Sequence, residues 1–151
     1  MSKIVFRTAA IDDAPAVLEF WSTAAEDSHR PADSAAAIEA LIRRDPEALI
    51  LALDKDVTAT TELVGTVIAG WDGWRCHIYR LAVAPDRRRS GIGRLLIQAA
   101  EERFAHLGGT RADAMVLDGN DLGQSAWKAN GYAPQPEWSR WVKPLTGAPT
   151  S

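Results

Sequence analysis

The chain has 151 residues, of which 46% are hydrophobic and 25% charged, and its formal net charge is −3. This composition predicts one soluble globular domain over residues 1–145, followed by a disordered tail at 146–151. The negative charge argues against nucleic-acid binding by the whole surface. The single cysteine excludes an internal disulfide and fits a cytoplasmic protein. The longest apolar run, residues 48–53, is too short to span a membrane, and the first residues do not resemble a signal peptide.

Hydrophobic periodicity predicts that the first half of the chain runs in the order strand, helix, helix, strand, strand. Each helix follows a capping signal: Asp12 and Asp13 precede the first, and Asp33 or Ser34 precedes the second. The strands are predicted at residues 3–8, 47–53 and 63–71.

The second half of the chain begins with a predicted hairpin. Asp72-Gly73 is typical of a tight turn, so a strand at 75–83 should be antiparallel to the one before it. A helix at 91–107 leads to a strand at 111–117, and strands joined through a helix run parallel. A short helix ending at Gly131 and a last strand at 138–143 complete the order β-α-α-β-β-β-α-β-α-β. This order predicts an α/β fold with a mixed β-sheet.

A basic, glycine-rich loop joins the hairpin to the long helix. It contains Arg87, Arg88, Arg89, Gly91, Gly93 and Arg94. The first N–H groups of a helix have no intrahelical acceptor and carry the positive end of its dipole, so a phosphate fits there. The absence of a following GK[ST] excludes a P-loop, and Leu96 occupies the third glycine position of a Rossmann motif. The loop sequence therefore predicts an anion site that is neither a P-loop nor a Rossmann motif. The alternative is an ordinary turn with a glycine that caps the helix.

The pattern Leu81-Ala82-Val83-x-Pro85, followed by Arg88-x-x-Gly91-x-Gly93, resembles the acetyl-CoA signature of the GNAT superfamily of N-acetyltransferases. The similarity extends over nearly the whole chain and is greatest to uncharacterised bacterial members. Further counterparts are Asp12-Asp13, Val64-Gly65-Thr66, Asn120 and Gly131-Tyr132. The resemblance implies a GNAT-like mixed sheet with a splayed parallel strand pair, and acetyl-CoA as cosubstrate.

The resemblance also implies how acetyl-CoA binds. Backbone amides of the loop would hold the pyrophosphate, the preceding strand would pair with the pantetheine arm, and a backbone N–H near Val83 would polarise the acetyl carbonyl. The implied cofactor-binding residues are Leu81, Ala82, Val83, Arg88, Arg89, Ser90, Gly91, Ile92, Gly93, Arg94, Asn120 and Trp127.

His77 is the candidate general base. Strand alternation predicts His77, Tyr79 and Leu81 on one face of the sheet and Cys76 on the other. Histidine titrates near neutral pH, and several GNAT members have a base at the matching position. Tyr79 is predicted to hydrogen-bond the substrate or relay a proton. A half-buried sheet histidine and a packing tyrosine are the alternatives.

The general acid is harder to assign from the sequence. Trp127 stands where many GNAT members have a tyrosine that protonates the leaving thiolate, and an indole N–H does not act as an acid. That role is therefore vacant, or falls to Tyr79, Tyr132 or water. Trp127 is expected to wall the acetyl channel. Asn120 is expected to cap the short helix, to contact the cofactor, or both.

The acceptor amine is expected to enter near the first helices, where an acidic and aromatic mouth suits a cation. Its predicted residues are Glu26, Asp27, Ser28 and His29, with Trp21, Trp71 or Trp74 nearby. A solvated polar loop is the alternative interpretation. No His, Cys and carboxylate residues have metal-ligand spacing, so no metal is expected.

The predicted function is acetyl-CoA-dependent N-acetyl transfer to a primary amine of a small molecule or peptide by direct attack. The alternative is a catalytically silent acyl-CoA-binding sensor. Neither a nucleic acid nor a membrane is expected as a partner, and the resemblance leaves a homodimer open.

Overall fold

The computed structural model describes residues 3–24, 32–56 and 61–146. It contains five strands: β1 (Ile4–Thr8), β2 (Leu49–Asp54), β3 (Glu62–Trp71), β4 (Cys76–Val83) and β5 (Ala112–Ala114). Its α-helices are α1 (Ala14–Ala24), α2 (Ala35–Arg44), α3 (Ile92–Leu107) and α4 (Asp121–Ala129). Short 3-10 turns, Ile11–Asp13 and Pro85–Arg87, precede α1 and follow β4.

The strands form one mixed sheet in the order β1-β2-β3-β4-β5. The first four are antiparallel neighbours, and β5 pairs with β4 in parallel. Every residue of β2 is buried, because the sheet is covered on both sides. Leu49 and Leu51 pack against α1 and α2, whereas Ile50 and Ala52 pack against α3. We call these sides of the sheet the α1–α2 face and the α3 face.

Side-chain hydrogen bonds show how the residues of the predicted capping signals act at the helix starts. Asp13 accepts a 2.7 Å hydrogen bond from the Ala10 N–H and pairs with Arg7, so it stabilises the 3-10 turn Ile11–Asp13 that leads into α1. Ser34, one of the two predicted candidates, caps α2 by accepting a 3.0 Å hydrogen bond from the Ala37 N–H. The fold class, the hairpin and the parallel pair were predicted correctly.

The predicted last strand at 138–143 is wrong. This segment forms neither helix nor strand, and Trp138 and Trp141 are 74% and 93% exposed. The alternating sequence pattern there meets only one requirement of a strand, the alternation of its side chains. A strand also needs a neighbouring backbone, and β5, the nearest in sequence, ends at Ala114 with β4 as its partner.

No helix within residues 3–24, 32–56 and 61–146 is long and apolar enough to cross a membrane. Of the predicted tail, residues 147–151 lie outside the part of the chain that the structure describes.

Candidate active site

The parallel strands β4 and β5 separate part-way along β4. They are paired at Cys76↔Ala112, His77↔Asp113 and Ile78↔Ala114, after which β5 ends while β4 continues to Val83. The last part of β4 therefore has β3 on one side and no β5 neighbour on the other. This is the splayed pair that the resemblance implies.

The backbone of Val83 points towards this open side. Val83 lies opposite Gly65, and the next N–H, of Ala84, donates a 2.9 Å hydrogen bond to the Val64 carbonyl on β3. Backbone groups of successive strand residues alternate in direction, so the N–H and C=O of Val83 point away from β3. They remain available to a strand-like ligand.

A β-bulge interrupts β4 at Arg80 and Leu81. Tyr79 pairs with Ile68 and Ala82 pairs with Thr66, so two residues of β4 face one residue of β3. Arg80 has a φ of 52°, which is unusual for a residue with a side chain.

The bulge reverses the alternation of side chains. Before it, Tyr79 pairs with Ile68 of the α1–α2 face; after it, Leu81 and Val83 pack against the α3 face. The prediction that Leu81 shares a face with His77 and Tyr79 is therefore wrong. The opposite placement of Cys76 is confirmed, since it is buried on the α3 face.

A buried polar network holds the bulge in place. The Thr66 hydroxyl donates to the Arg80 carbonyl at 2.9 Å and accepts from the Trp21 indole N–H at 2.8 Å. The Arg80 guanidinium lies 5.4 Å from the centre of the Trp21 ring and pairs with Asp33 at 2.7 Å. Trp21 is only 3% exposed, so it supports the bulge from inside and does not form the wall of an acceptor mouth.

The arginines of the basic loop divide into two kinds. Arg87 turns inward, where it pairs with Asp54 and, at 3.2 Å, with Glu62, and thereby ties the loop to β2 and β3. Arg88, Arg89 and Arg94 are exposed and make no ion pair within the described residues. Among the described arginines of the loop, these three are available to an anionic ligand.

Helix α3 begins beside the open strand edge. Gly91 caps it with a φ of 88°, and the Leu95 N–H makes the first intrahelical hydrogen bond, to the Gly91 carbonyl at 3.1 Å. The N–H groups of Ile92, Gly93 and Arg94 come before that bond and have no acceptor within the helix. The Ser90 hydroxyl donates back to the Arg87 carbonyl. The Ile92 side chain is buried, so only its backbone can contribute to a site.

His77 lies next to the point where β4 and β5 separate. Its Nδ1 is 2.8 Å from Asp113 Oδ1 on β5, and its Nε2 is 3.9 Å from Asp72 Oδ2 in the hairpin turn. The side chain is 38% exposed, so solvent or a substrate can reach it. Sequence reasoning missed Asp113 because the β4–β5 register that pairs the two residues cannot be read from the spacing of either strand.

The sequence model of the acetyltransferase (GNAT) family matches residues 14–132. The chain belongs to this family. It is 34% identical over 111 residues to an acetyltransferase of Pectobacterium atrosepticum, covering 73% of this chain and 74% of the relative. It is 31% identical over 125 residues to an acetyltransferase of Sodalis glossinidius, covering 82% and 83%.

Solved acetyltransferases share the fold. Ard1 of Thermoplasma volcanium matches with a TM-score of 0.70 at 21% identity, over 86% of this chain and 82% of that one. The NatC complex bound to Gag peptide and CoA matches with a TM-score of 0.73 at 15% identity, over 88% and 86%. An aminoglycoside 6'-N-acetyltransferase in complex with a bisubstrate analogue matches with a TM-score of 0.70 at 15% identity, over 95% and 100%. The predictions of an N-acetyltransferase and of acetyl-CoA as cosubstrate are confirmed.

Two tyrosines of this acetyltransferase occupy different environments. Tyr79 is 43% exposed, and its hydroxyl has no hydrogen-bond partner among the described residues. Partial burial raises its pKa, so the hydroxyl keeps its proton near neutral pH. Tyr132 donates a 2.7 Å hydrogen bond to Glu101 on α3; burial first, and then that carboxylate, raises its pKa far above the ordinary tyrosine value.

Trp127 and Asn120 have structural contacts. The Trp127 ring meets the Tyr132 ring edge to face, with 4.9 Å between centroids, and packs against the α3-face core. Asn120 caps α4, because its Oδ1 accepts a 2.9 Å hydrogen bond from the Gly123 N–H. The capping alternative for Asn120 is confirmed, and contact with the cofactor stays a prediction.

The predicted acceptor mouth is described only in part. Glu26, Asp27, Ser28 and His29 lie outside the described residues. Trp74 is 86% exposed in the hairpin turn, whereas Trp71 packs on the α3 face, away from His77. In the part of the chain that the structure covers, no group of three or more His, Cys, Asp or Glu side chains could hold a metal ion.

Proposed function

We propose that this acetyltransferase moves the acetyl group of acetyl-CoA to a primary amine of a small molecule or peptide by direct attack, with His77 as general base. The observation that carries the proposal is the position of His77. It lies one residue before Ile78, the last β4 residue paired with β5, and therefore at the closed end of the open strand pair.

The open edge of β4 and the start of α3 suit the two ends of acetyl-CoA. The Val83 backbone groups would pair with the pantetheine amides as an added strand does. The unpaired N–H groups from Ile92 to Arg94 would hold the pyrophosphate, because phosphate is favoured at a helix N-terminus. Arg88, Arg89 and Arg94 add positive charge around that position.

The reaction requires a neutral amine at the thioester. Alkyl amines are mostly protonated at neutral pH, so a base must take a proton before or during attack. In the proposed reaction His77 Nε2 accepts that proton and the amine nitrogen bonds to the carbonyl carbon. The C–S bond then breaks, and the nitrogen loses its second proton to solvent or to the leaving thiolate as the amide forms. A β4 backbone N–H near Val83 would stabilise the carbonyl oxygen as negative charge develops.

The leaving thiolate takes up a proton in this scheme. Tyr79 is on the same face as His77, and its hydroxyl, which has no hydrogen-bond partner among the described residues, supports a role in donating or relaying that proton. Tyr132 is a weaker candidate because its proton is engaged by Glu101 and its pKa is raised. Trp127 would contribute by packing alone.

The charges near His77 support a cationic acceptor. Asp72 and Asp113 both lie within 4 Å of the imidazole, and carboxylates attract an ammonium group. Two of the structural neighbours are consistent with such a substrate, one bound to Gag peptide and one, an aminoglycoside 6'-N-acetyltransferase, in complex with a bisubstrate analogue.

Incubation of the purified protein with acetyl-CoA and a panel of small-molecule and peptide amines, with free thiol followed over time, tests this proposal. We expect thiol release that depends on the amine. His77→Ala should lower kcat by about 10²–10⁴-fold, the usual contribution of a general base, with the Kd for acetyl-CoA unchanged.

His106→Ala is the matched control, since His106 is an exposed histidine at the end of α3. A rate that is equal in the His77 and His106 variants between pH 6 and 9 would remove His77 as the base. Tight acetyl-CoA binding with no turnover of any amine would favour the silent acyl-CoA sensor instead.

A further inference from the structure

We propose that Asp113 is a positioning residue for the general base: it fixes the tautomer and the orientation of His77 so that Nε2 receives the proton of the acceptor amine. This inference rests on the proposed function of His77. Asp113 itself is not expected to touch the substrate or the cofactor.

The sheet register brings the two side chains together. His77 and Asp113 are direct neighbours in the parallel ladder between β4 and β5. The residues on either side of Asp113, Ala112 and Ala114, pack against the α3-face core, so Asp113 points to the opposite face, where His77 also lies. Three consecutive paired residues fix this placement, and the 2.8 Å separation of Nδ1 and Oδ1 follows from it.

The hydrogen bond determines which ring nitrogen is free. An ionised carboxylate can only accept hydrogen bonds, so Nδ1 must carry the hydrogen. In the neutral imidazole the lone pair is then on Nε2, which points away from β5. The hydrogen-bond partner of one ring nitrogen therefore determines whether the other nitrogen carries the hydrogen or the lone pair.

The charged groups around the imidazole agree with this assignment. Asp72 faces Nε2 from the hairpin turn at 3.9 Å, too far for a hydrogen bond. Its Oδ1 accepts from the N–H groups of Trp74 and Arg75 at 2.8 and 2.7 Å, so its first role is to hold the turn. Tyr79 is the nearest titratable neighbour on the same face of β4. Asp113 is therefore the described carboxylate in hydrogen-bond contact with the ring.

The proton balance requires no proton on Asp113. The amine proton moves to Nε2 and makes the ring an imidazolium, whose positive charge lies 2.8 Å from the Asp113 carboxylate. The carboxylate stabilises that charge and keeps the ring from rotating. The proton later leaves from Nε2 to solvent or to the departing thiolate, and Asp113 stays ionised throughout.

Two variants distinguish a positioning role of Asp113 from a purely structural role. Asp113→Ala removes both the acceptor and the charge, and we expect kcat to fall about tenfold, a part of the general-base factor, with KM for acetyl-CoA unchanged. Asp113→Asn keeps an oxygen that can accept from Nδ1 but removes the charge. Its rate should be higher than that of Asp113→Ala. The pH–rate profile of each Asp113 variant is measured beside that of the parent protein.

A spectroscopic readout does not depend on turnover. The ¹⁵N shifts of the His77 imidazole report which nitrogen carries the hydrogen. We expect a protonated Nδ1 and a bare Nε2 in the parent protein, and a shift towards protonated Nε2 in Asp113→Ala. Glu102→Gln is the charge-matched control, because Glu102 is exposed on α3 and makes no described ion pair. It should leave rate, pH profile and imidazole spectrum unchanged.

The outcomes distinguish this inference from the function on which it rests. If His77→Ala retains the parent rate, the general-base proposal and the role of Asp113 both fall. If His77→Ala loses activity while both Asp113 variants keep the parent rate, pH profile and tautomer, the base stands and the positioning role of Asp113 is overturned.

Discussion

Replacement of Thr66 by valine should destabilise the bulge on which the site depends. Thr66 is fully buried, and its hydroxyl joins the Trp21 indole N–H to the Arg80 carbonyl. Valine has nearly the same shape but leaves the buried N–H without an acceptor, at a cost of about 1–3 kcal/mol. Loss of the second hydrogen bond adds about 0.5–1.5 kcal/mol. We therefore expect the free energy of unfolding to fall by about 1.5–4.5 kcal/mol.

Urea unfolding followed by tryptophan fluorescence measures this loss, which corresponds to a Tm lower by roughly 10 °C for a domain of this size. Thr66→Ser is the matched control: it keeps the hydroxyl and removes one buried methyl group, at about 1 kcal/mol. The kcat for acetyl transfer should also fall in the valine variant, because the bulge sets the path of β4 beyond Tyr79. A valine variant as stable as the serine variant would refute the role of the hydroxyl network.

Three further predictions concern the basic loop, the contact between β3 and α3, and the 3-10 turn before α1. Gly91→Glu should abolish the acetyl-CoA binding that calorimetry measures, because it adds negative charge and a side chain at a φ of 88°. Gly108→Glu is the control: it makes the same change at the same φ at the other end of α3 and should leave binding intact. Gly65→Ala should lower stability by about 1–3 kcal/mol through overpacking and raise KM for acetyl-CoA, since a Cβ there would lie 2.9 Å from a buried leucine of α3. Asp13→Asn should lose stability at pH 7, and the loss should become smaller as the pH falls below 3.8, because Arg7 lowers the Asp13 pKa and that stabilisation disappears as the carboxylate is protonated.

Each of these predictions has an outcome that contradicts it. Undiminished affinity in Gly91→Glu would place the pyrophosphate elsewhere. An unchanged KM in Gly65→Ala would mean that the packing of α3 against β3 does not determine the geometry of the cofactor site. A stability difference for Asp13→Asn that is as large at pH 3 as at pH 7 would show that the ion pair is not its source.

Local pattern was sufficient for most of the elements. The apolar spacing of α3, the hairpin turn at Asp72 and the caps at Asp13 and Ser34 depend on residues close together in sequence, and each was predicted close to its position. The last strand was wrong because alternation between Trp138 and Lys143 describes one strand alone, and pairing needs a second.

Pattern was not sufficient for the geometry of the site. Perfect alternation along β4 placed Leu81 beside His77, whereas one additional residue at Arg80 reverses every side chain after it. That bulge depends on a hydroxyl on β3 and an indole on α1, which sequence spacing does not connect.

The sequence by itself determined the family signature, the loop with its arginines and the candidate base His77, because these are properties of contiguous residues. Only the tertiary structure decided that Arg87 serves the fold and that Asp113 is the partner of His77. The physical reason is that strand register and bulges are set by hydrogen bonds between distant segments. A shift of one residue in either would move a side chain to the opposite face of the sheet.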